Sequence, residues 1–137
     1  MVLLLLVTQT VTLPVGFAFY RPDPVLTAWV KEDKRLKKAG AAKKARPVLP
    51  ERDSCYPTKT QLALRLLQAF KDAHGDIKIK AVLADALYGE AGFMDKASQI
   101  FDITQVISQL CENQNIEYRG KKRNLKDFLI PSTKAWK

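Results

Sequence analysis

Before Arg21 the chain contains no lysine or arginine, and its apolar run breaks at Thr8-Gln9-Thr10 and resumes at Val11-Thr12-Leu13. Met1 to Val7 and Val11 to Phe19 are therefore two apolar segments joined by a short polar step, the pattern of a buried β-hairpin with strands at Val2 to Val7 and Val11 to Phe19. Pro14 then belongs near a strand start or a bulge, where its missing N–H is tolerated. A secretory signal is the competing reading. It would need a basic start and a small-x-small cleavage site, and neither is found. A membrane-spanning helix would need ~20 apolar residues, and the run stops well short of that.

With 137 residues, 47% of them hydrophobic, the chain has material for one packed domain. Its 9% aromatic content excludes a wholly disordered or low-complexity class. The formal net charge is +9, and it is unevenly placed. Lys31 to Arg46 carries eight basic and two acidic residues, and Glu117 to Lys137 carries seven and two, so two basic segments flank a near-neutral centre. Lys31, Lys34, Arg35, Lys37, Lys38, Lys43, Lys44 and Arg46, with Lys121, Lys122 and Arg123, are the candidates for contacting a polyanion, either nucleic acid or an anionic membrane face. A solvated lysine-rich linker and tail explain the same charge without a partner. Tyr20, Trp29, Tyr56, Tyr118 and Trp136 lie near basic residues and offer stacking faces for unpaired bases, although isolated loop aromatics also serve as packing anchors.

Cys55, Cys111 and the single histidine His74 form neither a zinc spacing nor a disulfide framework, so both cysteines are expected as free thiols in a reducing compartment. Nothing in their surroundings favours a Cys111–His74 nucleophilic pair.

Residues 20–57 are expected to be a basic linker with little packing, opening on the rigid Arg21-Pro22-Asp23-Pro24 turn. A short helix from Leu26 to about Lys38 would touch the body through Leu26, Trp29, Val30 and Leu36. At Thr58-Lys59-Thr60-Gln61 the S/T-x-x-E/Q spacing predicts a capping box and a helix start. Leu62, Leu66, Ala69, Phe70 and Ala73 give that helix one apolar stripe, and His74-Gly75 an end.

Ile77-Lys78-Ile79-Lys80 alternates and Ala81-Val82-Leu83-Ala84 is continuously apolar, as in a strand passing from an edge into a covered core. By period two, residues 77, 79, 81, 83 and 85 share one face, which delivers the Asp85 carboxylate to the apolar side at the strand's carboxyl end. After a turn at Tyr88-Gly89, a second helix is marked by Phe93, Met94, Ala97, Ile100 and Phe101. A further strand follows at Thr104 to Leu110. The order strand, strand, linker, helix, strand, helix, strand predicts an α/β chain. Asp85 has a plain structural alternative, the capping of a turn ahead of Gly89.

These residues also carry a resemblance. Val82-Leu83-Ala84-Asp85-Ala86-Leu87-Tyr88-Gly89, then Phe93-Met94-Asp95, then Gln105-Val106-Ile107-Ser108-Gln109-Leu110 with Asn113-Gln114-Asn115, resemble the middle of bacterial insertion-sequence transposases of the DDE class. Thr12-Leu13-Pro14-Val15-Gly16-Phe17 and the lysine-rich linker resemble that family at the right distance, and coverage is residues 2 to 116. The resemblance implies an incomplete ribonuclease-H-like mixed sheet with flanking helices. Residues 1–19 would be its amino-terminal hairpin, 20–57 the linker and 58–116 a helix-strand-helix-strand part of the same core. Residues 117–137 would form a basic tail.

The family's core carries three acidic residues, and only the second maps here, onto Asp85, with Tyr88 and Gly89 beside it. The first would lie upstream of Met1 on a missing strand, and the glutamate on a missing last helix. Asp23, Glu90 and Asp95 occupy no matching position. The resemblance implies a bacterial cytoplasmic location, with element-end and target DNA as partners, a homo-oligomer on DNA in the complete protein and no membrane. The implied cofactor is Mg²⁺ or Mn²⁺. Two-ion phosphodiester chemistry needs several converging carboxylates, so the chain by itself is expected not to cut or join DNA. A sheet missing its first strand would also leave an unpaired edge along Leu3 to Leu6. The alternative is a small basic nucleic-acid-binding module without catalysis.

Overall fold

The computed structural model describes residues 1–102, 105–109 and 114–126. It is mixed α/β, with three α-helices and three separate two-stranded sheets among the described residues. The chain divides into two compact units, Met1–His74 and Gly75–Lys137. Helix 59–73 thus groups with the amino-terminal hairpin and not with the strands that follow it.

In the first unit, strands β1 (Val2–Val7) and β2 (Thr12–Ala18) pair antiparallel. The register shifts between Leu4, opposite Gly16, and Leu5, opposite Pro14, so the expected bulge is beside the proline. One face of this ribbon is closed by α2 (Lys59–Ala73). A Cβ added at Gly16 would stand 3.3 Å from Leu66 Cδ2, so glycine lets the helix approach this closely. Val2, Leu67 and Phe70 are buried there. The stripe that α2 buries is rotated from the expected one: Leu67 is buried while Ala69 and Ala73 are exposed. The capping box forms as the spacing predicts. Thr58 Oγ1 accepts from Gln61 N at 3.1 Å, and Thr58 N donates to Gln61 Oε1 at 2.8 Å.

The segment 20–57 is largely exposed, but hydrogen bonds and an ion pair tie it back on itself. Helix α1 (Pro24–Lys38) is capped by Asp23, whose Oδ1 accepts from Val25 N at 2.8 Å and Leu26 N at 3.2 Å. Pro24 fills the first turn, where no N–H is needed. Three ties draw the following chain back. Trp29 Nε1 donates to Pro47 O at 3.0 Å, Arg46 meets Asp33, and Asp53 N donates to Asp23 Oδ2 at 3.4 Å. Leu26, Trp29 and Leu36 are half-buried, whereas Val30 is exposed.

In the second unit, β3 (Val82–Ala84) and β4 (Val106–Ser108) are parallel, with Val82 opposite Val106 and Ala84 opposite Ser108. Helix α3 (Ala91–Phe101) connects them, burying Phe93 and Ala97. Met94, Ile100 and Phe101 are half-buried on the same stripe. The strand expected from Ile77 is shorter than its pattern, because residues 77–81 are not β. Thr104 and Leu110, the expected limits of the last strand, lie outside the described residues, as do Cys111, Asn113 and Trp136. The basic tail begins as a hairpin of β5 (Asn115–Tyr118) and β6 (Lys121–Asn124). Arg119 and Gly120 have φ of 51° and 71°, the two left-handed residues of a type I′ turn.

Candidate functional site

Asp85 directly follows β3, but it does not face the apolar side. Val82 is buried while Leu83 is 69% exposed, and Asp85 shares the exposed side with Leu83. The continuous apolar run made both faces of the strand equally eligible for the core, and packing buried the face carrying Val82. The carboxylate caps a short 3-10 turn, Ala86–Tyr88, with Oδ1 accepting from Leu87 N at 2.6 Å. The capping role is therefore realised.

The turn folds over the end of β4. Ser108 Oγ donates to the Asp85 carbonyl at 2.7 Å, and Gln114 Nε2 donates to the Gly89 carbonyl at 3.2 Å. A Cβ on Gly89 would come within 3.0 Å of the Gln109 carbonyl oxygen and 3.4 Å of Ser108 Oγ, so no larger residue fits without displacement. The Tyr88 ring lies on Phe93 of α3, with centroids 5.1 Å apart. Burial, and then the Asp85 charge, push its phenol above the ordinary value. The structure thus brings Asp85, Tyr88, Gly89, Ser108, Gln109 and Gln114 together at the carboxyl ends of two parallel strands. Ser108 and Gln114 were not singled out individually as site residues from the sequence.

Among the described residues, no three or more His, Cys, Asp or Glu side chains come together as a metal-ligand group. Asp85 is a single carboxylate with one oxygen engaged by the backbone, so the residues described do not fit a two-ion centre. Asp95 is exposed on α3, and Glu90 precedes that helix without a side-chain cap.

The basic candidates separate into two groups. Arg35 is paired with Glu32 at 2.6 Å, Lys37 with Asp33 at 2.8 Å and Arg46 with Asp33 at 3.0 Å. Asp33 is buried, a feature hidden in the sequence by its charged neighbours. It lies on the stripe of Leu26, Trp29 and Leu36, with spacing i, i+3, i+7, i+10. The hydrogen bond from Lys37, then the charges of Lys37 and Arg46, hold its carboxyl below the ordinary value against the opposing effect of burial. Lys31, Lys34 and Lys38 recur at i, i+3 and i+7 on the opposite side of α1 and are exposed, as are Lys43 and Lys44 on the short 3-10 turn Lys43–Ala45. Lys121, Lys122 and Arg123 are exposed on β6, where alternation sends Lys122 to the other face from its neighbours.

Of the aromatic candidates, Trp29 is committed to Pro47, and the Lys59 ammonium lies 5.5 Å from the centre of the Tyr20 ring. Arg119 lies 5.3 Å from the centre of Tyr118. Among the described residues no helix is long and apolar enough to cross a membrane. Comparison with protein-family models, with curated proteins and with solved structures finds no match to this chain.

Proposed function

We propose that the chain is a piece of a DDE-class transposase, contributing the acidic residue Asp85 and a DNA-contacting basic surface, and not cutting DNA by itself. The ribonuclease-H-like fold belongs to this reading. The observation that carries it is the meeting of Asp85-x-x-Tyr88-Gly89 with Ser108-Gln109 and Gln114. These are the separate blocks on which the resemblance rests, and they converge at the carboxyl ends of parallel strands, where open α/β sheets place their ligands. A lone carboxylate supplies too little for metal-dependent cleavage, so DNA is bound and left intact.

A second reading, a basic nucleic-acid-binding module in which Asp85 is only a cap, is favoured by the exposed lysine stripe on α1. Titrating the protein with duplex DNA while following backbone amide signals separates the two. Shifts at Asp85–Gly89 and Ser108–Gln109 together with residues 31–44 support the transposase reading. Shifts confined to 31–44 leave the binding module, and no shift at either place overturns both. Cleavage of element-end DNA with Mg²⁺ or Mn²⁺ that Asp85→Ala abolishes would overturn the statement that the chain does not cut.

A further inference from the structure

The aromatic residues near basic ones part company once the strands are in place. Trp29 is committed to Pro47, and Tyr20 holds the Lys59 ammonium. Tyr118 differs from both: it ends β5, beside the Arg119–Gly120 turn, and is 48% exposed. Every residue from Glu117 to Arg123 is exposed.

The register of β5 and β6 sorts this ribbon's charges by face. Directly opposed residues point to the same side, and so do residues two apart on one strand. Tyr118 is opposite Lys121 and Ile116 is opposite Arg123, so these four side chains share one face. Glu117, the sole acidic residue between Asn115 and Asn124, is opposite Lys122 on the other face. Lys121 and Arg123 stand ~7 Å apart along their strand. Arg119 adds a third cation, its guanidinium 5.3 Å from the centre of the Tyr118 ring. Among the described residues none of Arg119, Lys121 and Arg123 is ion-paired with a carboxylate. An exposed aromatic ring is thus bordered by three cations on a ribbon face that carries no acidic residue.

We propose that this face of the β5–β6 hairpin binds single-stranded nucleic acid, with an unpaired base stacked on Tyr118 and the adjoining phosphates held by Lys121, Arg123 and Arg119. A nucleotide presents a flat π-face next to a negative charge, and a ring beside cations answers both. The strand is single because a base inside a duplex has both faces covered by its neighbours, whereas an unstacked base can lie on an aromatic side chain. Stacking accepts any base, so affinity should vary little with sequence. An anionic membrane fits this face less well. Binding in the plane of a membrane sinks a broad apolar surface into it, and here the only aliphatic side chain is Ile116, which is half-buried. The site belongs to the Gly75–Lys137 unit and uses none of the α1 lysines, so it goes beyond the DNA contact proposed above and does not depend on a role for Asp85.

The test is binding of a short oligothymidylate to the full chain by fluorescence anisotropy, with a DNA duplex of equal length and phosphatidylglycerol vesicles for comparison. Tyr118→Leu should weaken oligothymidylate binding roughly tenfold and leave duplex affinity unchanged. Tyr118→Phe keeps the ring and should bind as the parent does. Lys121→Gln should flatten the slope of log K against log salt by about 0.7, the value for one phosphate of a single strand. Lys122→Gln, one residue on but on the other face, should leave the slope as it is. In the parent the oligothymidylate should move the backbone amide signals of residues 116–123, a readout that needs no variant to fold. Shifts confined to residues 31–44 would leave the α1 surface standing and overturn the hairpin site. Equal affinity of the parent and Tyr118→Leu would also overturn it, as would equal slopes for Lys121→Gln and Lys122→Gln. So would a Tyr118→Leu variant that loses as much affinity for the duplex or the vesicles as for the oligothymidylate.

Discussion

The Arg46 guanidinium stands 3.0 Å from the Asp33 carboxylate, thirteen residues back along the chain, and so fastens the basic segment onto its own helix. Lys37 reaches the other carboxylate oxygen at 2.8 Å. Two of the eight basic residues between 31 and 46 are therefore spent on holding one buried aspartate, and a third, Arg35, on Glu32. Arg46 Nε is buried without a hydrogen-bond partner among the described residues, so Asp33 is the carboxylate that holds this guanidinium.

The first prediction concerns acid stability. Because the Asp33 carboxyl is held below its ordinary value by Lys37 and Arg46, its contribution is complete above the ordinary value of ~3.9. It is lost as pH falls through the lower folded-state value. Asp33→Asn should lower the urea midpoint of the Met1–His74 unit at neutral pH, and the gap to the parent should narrow as pH falls below the ordinary carboxyl value of ~3.9. Asp23 and Glu32 are also held low and titrate in both proteins, so the difference between the two curves isolates Asp33. Equal midpoints at neutral pH would show the bridge to be idle.

Helix α2 gives a second prediction. Thr58 and Gln61 cap each other's backbone N–H groups, so Thr58→Ala should cost about 1 kcal/mol. Thr58→Ser should restore most of it, with the readout being denaturant midpoints of the same unit.

At Gly89, alanine would place its Cβ 3.0 Å from the Gln109 carbonyl oxygen. Gly89→Ala should destabilise the Gly75–Lys137 unit by roughly 1–3 kcal/mol, the usual cost of forcing an added group into packed surroundings. Amide exchange at Ser108 and Gln109 should speed up while exchange in α2 is unchanged.

The lysines yield the fourth prediction. If Lys31, Lys34 and Lys38 each neutralise a phosphate, replacing all three by glutamine should flatten the slope of log K against log salt by about 2.7, at ~0.9 per phosphate. Replacing Arg46 by methionine should alter stability and leave that slope unchanged. An equal loss of slope from both would show that the ion-paired and free residues do not differ in DNA contact.

What the sequence alone determined are features whose cause is local. The polar break at Thr8-Gln9-Thr10 turns the chain over; Pro14 calls for a bulge; Thr58 and Gln61 are three residues apart and cap one helix turn; Phe93, Met94, Ala97, Ile100 and Phe101 mark a face that α3 does bury. Tertiary structure decided which of several locally acceptable faces would be used. Val82-Leu83-Ala84 is apolar on both sides, so only packing could bury Val82 and leave Asp85 outside. The rotation of α2 toward Leu67 was chosen by the hairpin beneath it. Asp33 among lysines has the composition of a solvated linker, and it became a buried anchor because Arg46 folds back to it. A charge loses less on burial when its partner comes with it, and a partner thirteen residues away is visible only in three dimensions.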